Sequence, residues 1–263
     1  MIKLAIIGAG AMGSAIARGL VKASCYQSFE IILFDLNSSA LKQLAQEGFK
    51  VSSDIQSITA PIVLFAVKPQ NINEVLESLA KLDPACLLIS ILAGTKIQKF
   101  AGYYPNNPVV RAMPNTPAQL AKGVTALAFN SKSSNQNKQE ARKLFEAIGK
   151  VVEVEESEMD LVTAVSGSGP AYIYLLEEAM IKAAIEFGMN QDTAKVLVRQ
   201  TIVGAAALLE ANPESKAEEL RAKVTSPNGT THAAVTSLTN SGFEQILRDA
   251  IAAATTRSKE LGA

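Results

Sequence analysis

Short apolar runs alternate with amphipathic segments through the first half of the chain. The runs are almost continuously apolar, as in parallel strands covered on both faces, whereas the segments between them carry apolar residues at helical spacing. Strands are predicted at Leu4 to Ile7, Ile31 to Phe34, Ile62 to Val67, Leu87 to Leu92 and Val109 to Arg111. This alternation predicts an α/β fold with a doubly wound sheet.

The second half has a different pattern. Two more strands are predicted, GVTALAF and KVVEV, and they flank a helix over Asn137 to Ile148. After the acidic segment EVEESEMD the sequence is rich in alanine and only helical in its periodicity, with about five helices. The segment SGSGP, with Pro170 at a first helical position, predicts the start of one of them. We therefore expect two domains, residues 1–160 around the sheet and an all-α domain over residues 161–263.

The composition excludes several classes of function. Lys plus Arg equals Asp plus Glu at 25 each, so no excess of positive charge is present to bind a nucleic-acid backbone. One histidine and two cysteines, Cys25 and Cys86, are too few for a disulfide framework and predict no bound metal. No apolar run reaches the roughly 18 residues that a membrane span needs. We expect a cytoplasmic protein with no nucleic-acid or membrane partner.

A glycine motif lies between the first strand and the first helix. In LAIIGAGAMGSAIARGL the glycines Gly8, Gly10 and Gly13 form G-x-G-x-x-G. The first permits a tight turn, the second lets backbone approach a pyrophosphate, and the third allows the helix to pack closely. The preceding strand and following helix give the motif its context, and it predicts a dinucleotide-binding Rossmann-type domain.

Asp35 ends the second strand, where a carboxylate accepts hydrogen bonds from the adenine ribose of NAD and repels the 2′-phosphate of NADP. Charge alone therefore favours NADH. Asn37, Ser38 and Ser39 offer an alternative, since they could donate to a phosphate if Asp35 turned away. A third interpretation is that one of these residues caps the next helix.

Three loops return to the carboxyl edge of the sheet, where open α/β sheets bind ligands. Lys68 and Pro69 follow the strand VLFAV, so the lysine could face the cofactor or the substrate. It could equally be solvated, with Pro69 starting a helix. Small residues in the other two loops, ILAGT and RAMPNTPAQ, are suited to a rigid wall beside the nicotinamide.

Four segments together resemble one enzyme family. AVKPQ, RAMPNTP, VSGSGPAYIY and VTSPNGTTHAAV occur in an order and with a spacing that closely resemble pyrroline-5-carboxylate reductase. The resemblance implies reduction of 1-pyrroline-5-carboxylate to L-proline, the last step of proline biosynthesis, with NADPH or NADH as hydride donor. It also implies a helical dimerisation domain, a homodimer formed through it and, as in many members, a decamer of five dimers. The apolar helix TAKVLVRQTIVGAAALLEA fits a subunit contact.

The resemblance also assigns roles to individual positions. The residues expected to bind the cofactor are Gly8, Ala9, Gly10, Ala11, Met12, Gly13, Asp35, Ala66, Val67, Lys68, Pro69, Ala93 and Asn115, to which we add Asn37. The residues expected to bind the substrate are Ser226, Gly229, Thr230 and Thr231. The catalytic candidates are Thr163, Glu156 and Lys68.

The substrate that the family implies is a cyclic imine with a carboxylate. The free N–H groups at a helix start, together with hydroxyls, can hold a carboxylate without arginine, and TSPNGTTHAAV has that form. A capped helix start that binds no ligand is the alternative. Glu156 could offset the charge of a protonated imine or simply be solvated. His232 is a weak candidate acid, because the helix dipole disfavours its charged form.

Two other functions fit parts of the sequence. A hydroxy-acid dehydrogenase or ketone reductase shares this domain order, but it usually places a lysine or histidine acid in the first long helix of the second domain. Between Leu161 and Phe187 the only such residue is Lys182. A non-catalytic dinucleotide sensor is the other alternative, and turnover with the imine separates it from an enzyme.

Overall fold

The apolar runs form one mostly parallel sheet in a computed structural model of the chain, which describes residues 1–79 and 81–262. The strands are β1 (Leu4–Ile7), β2 (Ile31–Phe34), β3 (Lys50–Ser52), β4 (Ile62–Phe65), β5 (Leu87–Ser90), β6 (Val109–Met113), β7 (Gly123–Phe129) and β8 (Gly149–Glu153). Their order across the sheet is β3-β2-β1-β4-β5-β6-β7-β8, and every neighbouring pair is parallel except β6 and β7. The strand order reverses at β1, which lies between β2 and β4 and so marks the point where such sheets bind ligands.

The predicted strands are all present, with ends that differ by a few residues. The prediction missed β3, because KVS is only three residues long, lies at the edge of the sheet and has a single apolar side chain, Val51. The prediction of an α/β sheet is correct, and no strand follows residue 161 within the described part of the chain.

The side chains of β1 show why both faces of the sheet are apolar. Leu4 and Ile6 point into one buried cluster, and Ala5 and Ile7 point into another on the opposite face. The helices that cover the faces and follow the sheet are α1 (Ala11–Lys22), α2 (Ser38–Gln46), α3 (Ile72–Ser78), α4 (Ile97–Tyr103), α5 (Asn135–Glu146) and α6 (Met159–Val162). Short 3-10 turns occur at Ser28–Glu30, Ile55–Ser57, Pro69–Asn71, Thr116–Leu120 and Glu156–Glu158.

The rest of the chain is helical. A π-helical segment, Thr163–Gly167, follows α6, and the remaining helices are α7 (Gly169–Glu186), α8 (Gln191–Ala211), α9 (Ala217–Lys223), α10 (Thr230–Asn240) and α11 (Phe243–Leu261). The helix start predicted at SGSGP is present, because α7 begins at Gly169 with Pro170 in its first turn. Ser168 has helical dihedral angles, so the backbone continues from the π-helical segment into α7.

Two compact units make up the chain. The first is Met1–Pro170 together with the segment that begins at Ala253, and the second is Ala171–Ala252. The end of α11 thus belongs to the first unit, although it lies at the far end of the sequence. The predicted domain boundary lies between residues 160 and 161, whereas the compact units divide the chain after Pro170 and again after Ala252. That residues 1–160 and 161–263 fold as separate domains stays a prediction.

The second unit buries little of its own apolar surface. Among its described residues only Ala194 and Val198 are buried. Large side chains such as Leu175, Val196 and Leu208 are 65%, 68% and 60% exposed. Since an apolar surface of this extent marks an interaction surface, the unit needs a partner to cover it.

Phe100→Ala should lower the free energy of unfolding by about 3–5 kcal/mol. The ring is 1% exposed and lies 5.0 Å from the ring of Phe65, centroid to centroid, so its removal leaves a cavity in the core. Phe29→Ala is the matched control, because Phe29 is 56% exposed, and it should cost less than about 0.5 kcal/mol. Urea denaturation at one protein concentration measures both, and equal losses would contradict this placement of the core.

Candidate active site

The turn between β1 and α1 is held by backbone contacts that only glycine permits. Gly8 has φ +108°, and a Cβ there would lie 2.5 Å from the carbonyl oxygen of Ala66 at the end of β4. A Cβ on Gly13 would overlap the carbonyl oxygen of Gly8. At Gly10, in contrast, a Cβ would meet no atom within 4 Å. Gly8 and Gly13 therefore set the packing of the turn, and Gly10 leaves space in front of the helix.

The start of α1 fits an anionic ligand. Gly10 is its N-cap, and no side chain caps the helix. The first N–H groups of a helix have no partner within the helix, so those of Ala11 and Met12 are available to a phosphate. The residues present therefore fit the pyrophosphate of a dinucleotide.

Asp35 lies beside this turn and is fixed by two backbone donors. Its Oδ2 accepts a hydrogen bond from the N–H of Ala9 at 2.7 Å, and its Oδ1 accepts one from the N–H of Asn37 at 2.8 Å. The side chain of Asn37 caps α2, accepting from the N–H groups of Ser39 and Ala40 at 3.1 and 3.3 Å. Of the three interpretations of this segment, the capping role is the one that the structure shows for Asn37.

A cleft of about 540 Å³ runs along the carboxyl edge of the first unit from this turn. Lys68 is the only cationic side chain among the described residues that line it, and Leu36, 91% exposed, forms part of its wall. The cleft is lined by Ile7, Gly8, Gly10, Phe34, Asp35, Leu36, Ser53, Ile55, Ala66, Val67, Lys68, Asn71, Glu74, Val75 and Ser78. Six of the predicted cofactor residues thus share one cavity, namely Gly8, Gly10, Asp35, Ala66, Val67 and Lys68.

Pro69 begins the 3-10 turn that follows β4, and Lys68 is its N-cap residue. The two alternatives for this pair are therefore compatible, since Pro69 starts a helical turn while Lys68 lines the cleft. Ala93 is half-buried in the loop after β5. Its neighbour Gly94 has φ +73°, and a Cβ there would lie 3.0 Å from the carbonyl oxygen of Ser258 in α11. The loop that carries Ala93 is thus packed against the end of α11.

The amide of Asn115 is held by the protein. Its Nδ2 donates to the carbonyl oxygen of Ser166 at 3.1 Å, and its Oδ1 accepts from the N–H of Val124 at 3.0 Å. The side chain therefore ties the π-helical segment to the start of β7, which fixes the position of the loop rather than pointing a free amide at a ligand.

Glu156 belongs to a network around a buried arginine. Its Oε1 accepts from the N–H of Ile97 at 2.6 Å and lies 3.7 Å from Nη1 of Arg111. Arg111 also donates through Nη2 to Oδ1 of Asp160 at 3.3 Å, and this oxygen accepts from the hydroxyl of Ser258 at 2.8 Å. The guanidinium side chain is only 4% exposed, so the two carboxylates offset the cost of burying its charge.

Thr163 is the first residue of the π-helical segment, a type of helix that is frequent at functional sites. Its hydroxyl donates to the carbonyl oxygen of Met159 at 2.8 Å. A Cβ on Gly167, at the end of the segment, would lie 2.6 Å from the terminal methyl of Met113. The segment therefore sits closely against the end of β6, and the oxygen of Thr163 keeps its capacity to accept a hydrogen bond.

In the second unit, TSPNGTTHAAV forms a tight turn followed by α10. Asn228 has φ +60°, and the N–H of Gly229 donates to the carbonyl oxygen of Ser226 at 3.0 Å. Gly229 is the N-cap of α10, and no side chain caps the helix. The hydroxyls and the first N–H groups, those of Thr230 and Thr231, are thus available to a ligand, which favours the anion cradle over a capped helix start.

Other reactive groups lie outside this arrangement. Burial raises the pKa of the Cys86 thiol to about 12, so it is protonated at neutral pH. Within the described residues, no group of three or more His, Cys, Asp or Glu side chains is placed to hold a metal ion. None of the helices described combines the length and apolarity required to cross a membrane.

Two family descriptions match the chain. Residues 156–261 match pyrroline-5-carboxylate reductase dimerisation, and residues 3–94 match NADP oxidoreductase coenzyme F420-dependent. The pyrroline-5-carboxylate reductase of Synechocystis sp. is 41% identical over 99% of this chain and 98% of its own length. The pyrroline-5-carboxylate reductase of Mycobacterium tuberculosis is 37% identical over 99% of this chain and 97% of its own length.

Solved structures agree with these relatives. A pyrroline-5-carboxylate reductase from Coxiella burnetii covers 100% of this chain and 99% of its own, with a TM-score of 0.90 and 32% identity. A pyrroline carboxylate reductase from Plasmodium falciparum with NADP bound matches 100% of this chain and 98% of its own chain, with a TM-score of 0.86 and 30% sequence identity.

The chain belongs to the pyrroline-5-carboxylate reductase family. The resemblance inferred from four short segments is thereby confirmed, as is the fold class of a Rossmann-type sheet followed by a helical dimerisation region. These matches also confirm the prediction that the chain is an NAD(P)H-dependent oxidoreductase.

Several residues of the candidate site were missed in the sequence. Arg111, Asp160 and Ser258 form a buried network that joins the sheet to α11, and Glu74 and Ser53 line the cleft. Arg111 ends a predicted strand with a charge at a position that should be buried, and this was the one signal that could have identified the network.

Gly10→Ala should weaken NADH binding by at least about tenfold, because its methyl group would occupy the space in front of α1 that a pyrophosphate needs. Folding should be unaffected, since a Cβ at Gly10 meets no protein atom within 4 Å. Gly102→Ala is the matched control, because its Cβ also meets none and it lies in α4. Titration followed by nicotinamide fluorescence, with a thermal unfolding scan, measures both effects. Unchanged affinity in Gly10→Ala would contradict this location of the cofactor.

Proposed function

We propose that this chain transfers a hydride from NADH or NADPH to the imine carbon of 1-pyrroline-5-carboxylate and so forms L-proline, the last step of proline biosynthesis. Similarity to pyrroline-5-carboxylate reductases over 99% of the chain supports the reaction. The observation in the structure that carries it is the pair of helix starts without side-chain caps, one in each unit. One suits a pyrophosphate, and the other suits a small carboxylate.

The cofactor is held by the first unit. The turn from Gly8 to Gly13 receives the pyrophosphate through the N–H groups of Ala11 and Met12 at the start of α1, and Asp35 receives the adenine ribose. The segment Ala66 to Pro69, with Ala93 and Asn115, shapes the rest of the cleft edge. When bound, the reduced nicotinamide supplies the hydride.

The carboxylate of the substrate is held by the second unit at the start of α10. The N–H groups of Thr230 and Thr231 donate to its oxygens, and the hydroxyls of Thr231 and Ser226 add further donors. Gly229 packs closely against Ser226, because a Cβ at Gly229 would overlap the hydroxyl oxygen of Ser226. The positive end of the α10 dipole favours the negative charge, so no arginine is required.

Three side chains are proposed to act on the imine. Thr163 accepts a hydrogen bond from the protonated nitrogen, because its own proton is donated to Met159. Glu156 offsets the positive charge of the nitrogen through the negative charge that it keeps beside Arg111. Lys68 orients the ligands at the edge of the cleft. A protonated imine needs no strong acid, so positioning and charge supply most of the rate.

The protein forms an oligomer through its dimerisation region, residues 156–261. We propose that the oligomer is a homodimer in which the exposed apolar side chains of α7 and α8 are covered by the partner, and that five such dimers form a decamer. We further propose that residues 1–160 and 161–263 are separate folding domains and that the protein is cytoplasmic.

Purified protein should oxidise NADH or NADPH only when 1-pyrroline-5-carboxylate is added, and L-proline should appear in equal amount. Absorbance of the reduced nicotinamide and amino-acid analysis measure the two. Cofactor binding with no turnover would favour the sensor. Turnover with a hydroxy acid or ketone in place of the imine would favour the other class of reductase.

Thr231→Val should raise KM for the imine by about tenfold or more, because it removes a hydroxyl donor to a charged group while keeping the shape of the side chain. The KM for the cofactor should not change. Thr239→Val is the matched control on the same helix, since its hydroxyl donates within α10 to the carbonyl oxygen of Val235 at 2.9 Å. Steady-state kinetics of both variants measure these KM values. An unchanged KM for the imine in Thr231→Val would contradict the proposal that the start of α10 binds the carboxylate.

A further inference from the structure

We infer that this chain selects NADH over NADPH, because Asp35 is a fixed carboxylate where NADPH would carry its 2′-phosphate and no ion pair among the described residues joins it to a cation. The inference rests on the proposed cofactor cleft and refines it. A preference for NADH would set this chain apart from two of its matches, because one family description names NADP and the Plasmodium falciparum structure holds NADP.

The position of Asp35 follows from the strand register. Phe34, the last residue of β2, is paired with Ile7, the last residue of β1, so Asp35 lies level with Gly8 of the glycine turn. An acidic residue at this point of a Rossmann-type sheet faces the hydroxyls of the adenine ribose. Asp35 also lines the cleft, so its carboxylate borders the space that the ligand would fill.

The carboxylate is held in place from both sides. Each of its oxygens accepts a backbone N–H, from Ala9 at 2.7 Å and from Asn37 at 2.8 Å. If Asp35 rotated away to admit a phosphate, both N–H groups would lose their partner, and one of them belongs to the glycine turn itself. The rotation that would accommodate NADPH therefore disturbs the binding loop for the rest of the cofactor.

The neighbouring polar residues do not provide a phosphate site. The side-chain oxygen of Asn37 is occupied in capping α2. Ser38 and Ser39 are not among the described residues that line the cleft. Leu36, the residue next to Asp35 that does line it, is 91% exposed and carries no charge. An arginine there could have paired with a 2′-phosphate.

Among the described residues that line the cleft, the one cation, Lys68, comes from a different strand end than Asp35. Lys68 follows β4, and β1 lies between β4 and β2, so the two strand ends are about 10 Å apart at the usual spacing of strands. Glu74 lines the same cleft and adds a second negative charge. A 2′-phosphate would therefore meet repulsion, whereas the ribose hydroxyls of NADH would donate to Asp35. We expect NADH to bind at least about tenfold more tightly.

The experiment is a binding titration with no imine present. NADH and NADPH are titrated into the protein at low and matched ionic strength, and nicotinamide fluorescence gives each Kd. NADH should have the lower Kd by about tenfold or more, and the gap should narrow as salt is added. Asp35→Ser should reduce the ratio of the two Kd values.

Two further variants keep the test decisive if Asp35→Ser folds poorly. Leu36→Arg changes an exposed side chain and neither hydrogen bond to Asp35, and it should lower the Kd of NADPH several-fold, by about the amount of one charge-assisted contact, with little effect on NADH. Glu77→Gln removes one negative charge from the exposed part of α3 but does not line the cleft, so it should leave the ratio unchanged.

Equal affinities, or a lower Kd for NADPH, would overturn the inference while leaving the proposed reaction intact. A shift of the ratio in Glu77→Gln as large as that in Leu36→Arg would also overturn it, because the preference would then reflect overall charge. Selective NADH binding with no reduction of the imine would support the inference and contradict the proposed reaction. Failure of both dinucleotides to bind would overturn both.

Discussion

The contact between Gly8, Gly13 and the end of β4 is the constraint on which the cofactor site depends. A Cβ at Gly8 would lie 2.5 Å from the carbonyl oxygen of Ala66, and a Cβ at Gly13 would overlap the carbonyl oxygen of Gly8, so the turn and the first helix can pack against the sheet only because both atoms are missing. This approach aims the start of α1 at the carboxyl edge of β1, where the strand order reverses. It also brings the N–H of Ala9 to Asp35, so the turn proposed to receive the pyrophosphate orients the group proposed to bind the ribose.

The proposed anion sites of the two units rest on the same physical feature. Each presents a helix that starts at a glycine and has no side-chain cap, α1 after Gly10 and α10 after Gly229. Backbone N–H groups and a helix dipole attract negative charge at fixed positions, and they do so without a long flexible cation that would have to be ordered. The buried arginine of the first unit has another role, since Arg111 is committed to Glu156 and Asp160.

Much of the first unit could be predicted from the sequence, because parallel strands covered on both faces must be apolar at nearly every position. The glycine turn was predictable for a related reason, since its packing excludes other residues. The network around Arg111 was not, because Asp160 is 49 residues from Arg111 and 98 from Ser258 and no local pattern joins them. The helix start in SGSGP was predictable, but the π-helical segment that runs into it was not, since serine, glycine and proline suit an ordinary helix start.

A crystal structure of the protein with NADH and L-proline tests most directly the claim that backbone amides of two helix starts hold the two ligands. Pyrophosphate oxygens should lie within hydrogen-bond distance of the N–H groups of Ala11 or Met12. The proline carboxylate should lie within that distance of the N–H groups of Thr230 or Thr231. A carboxylate bound instead by a lysine or arginine side chain, away from the start of α10, would contradict that claim.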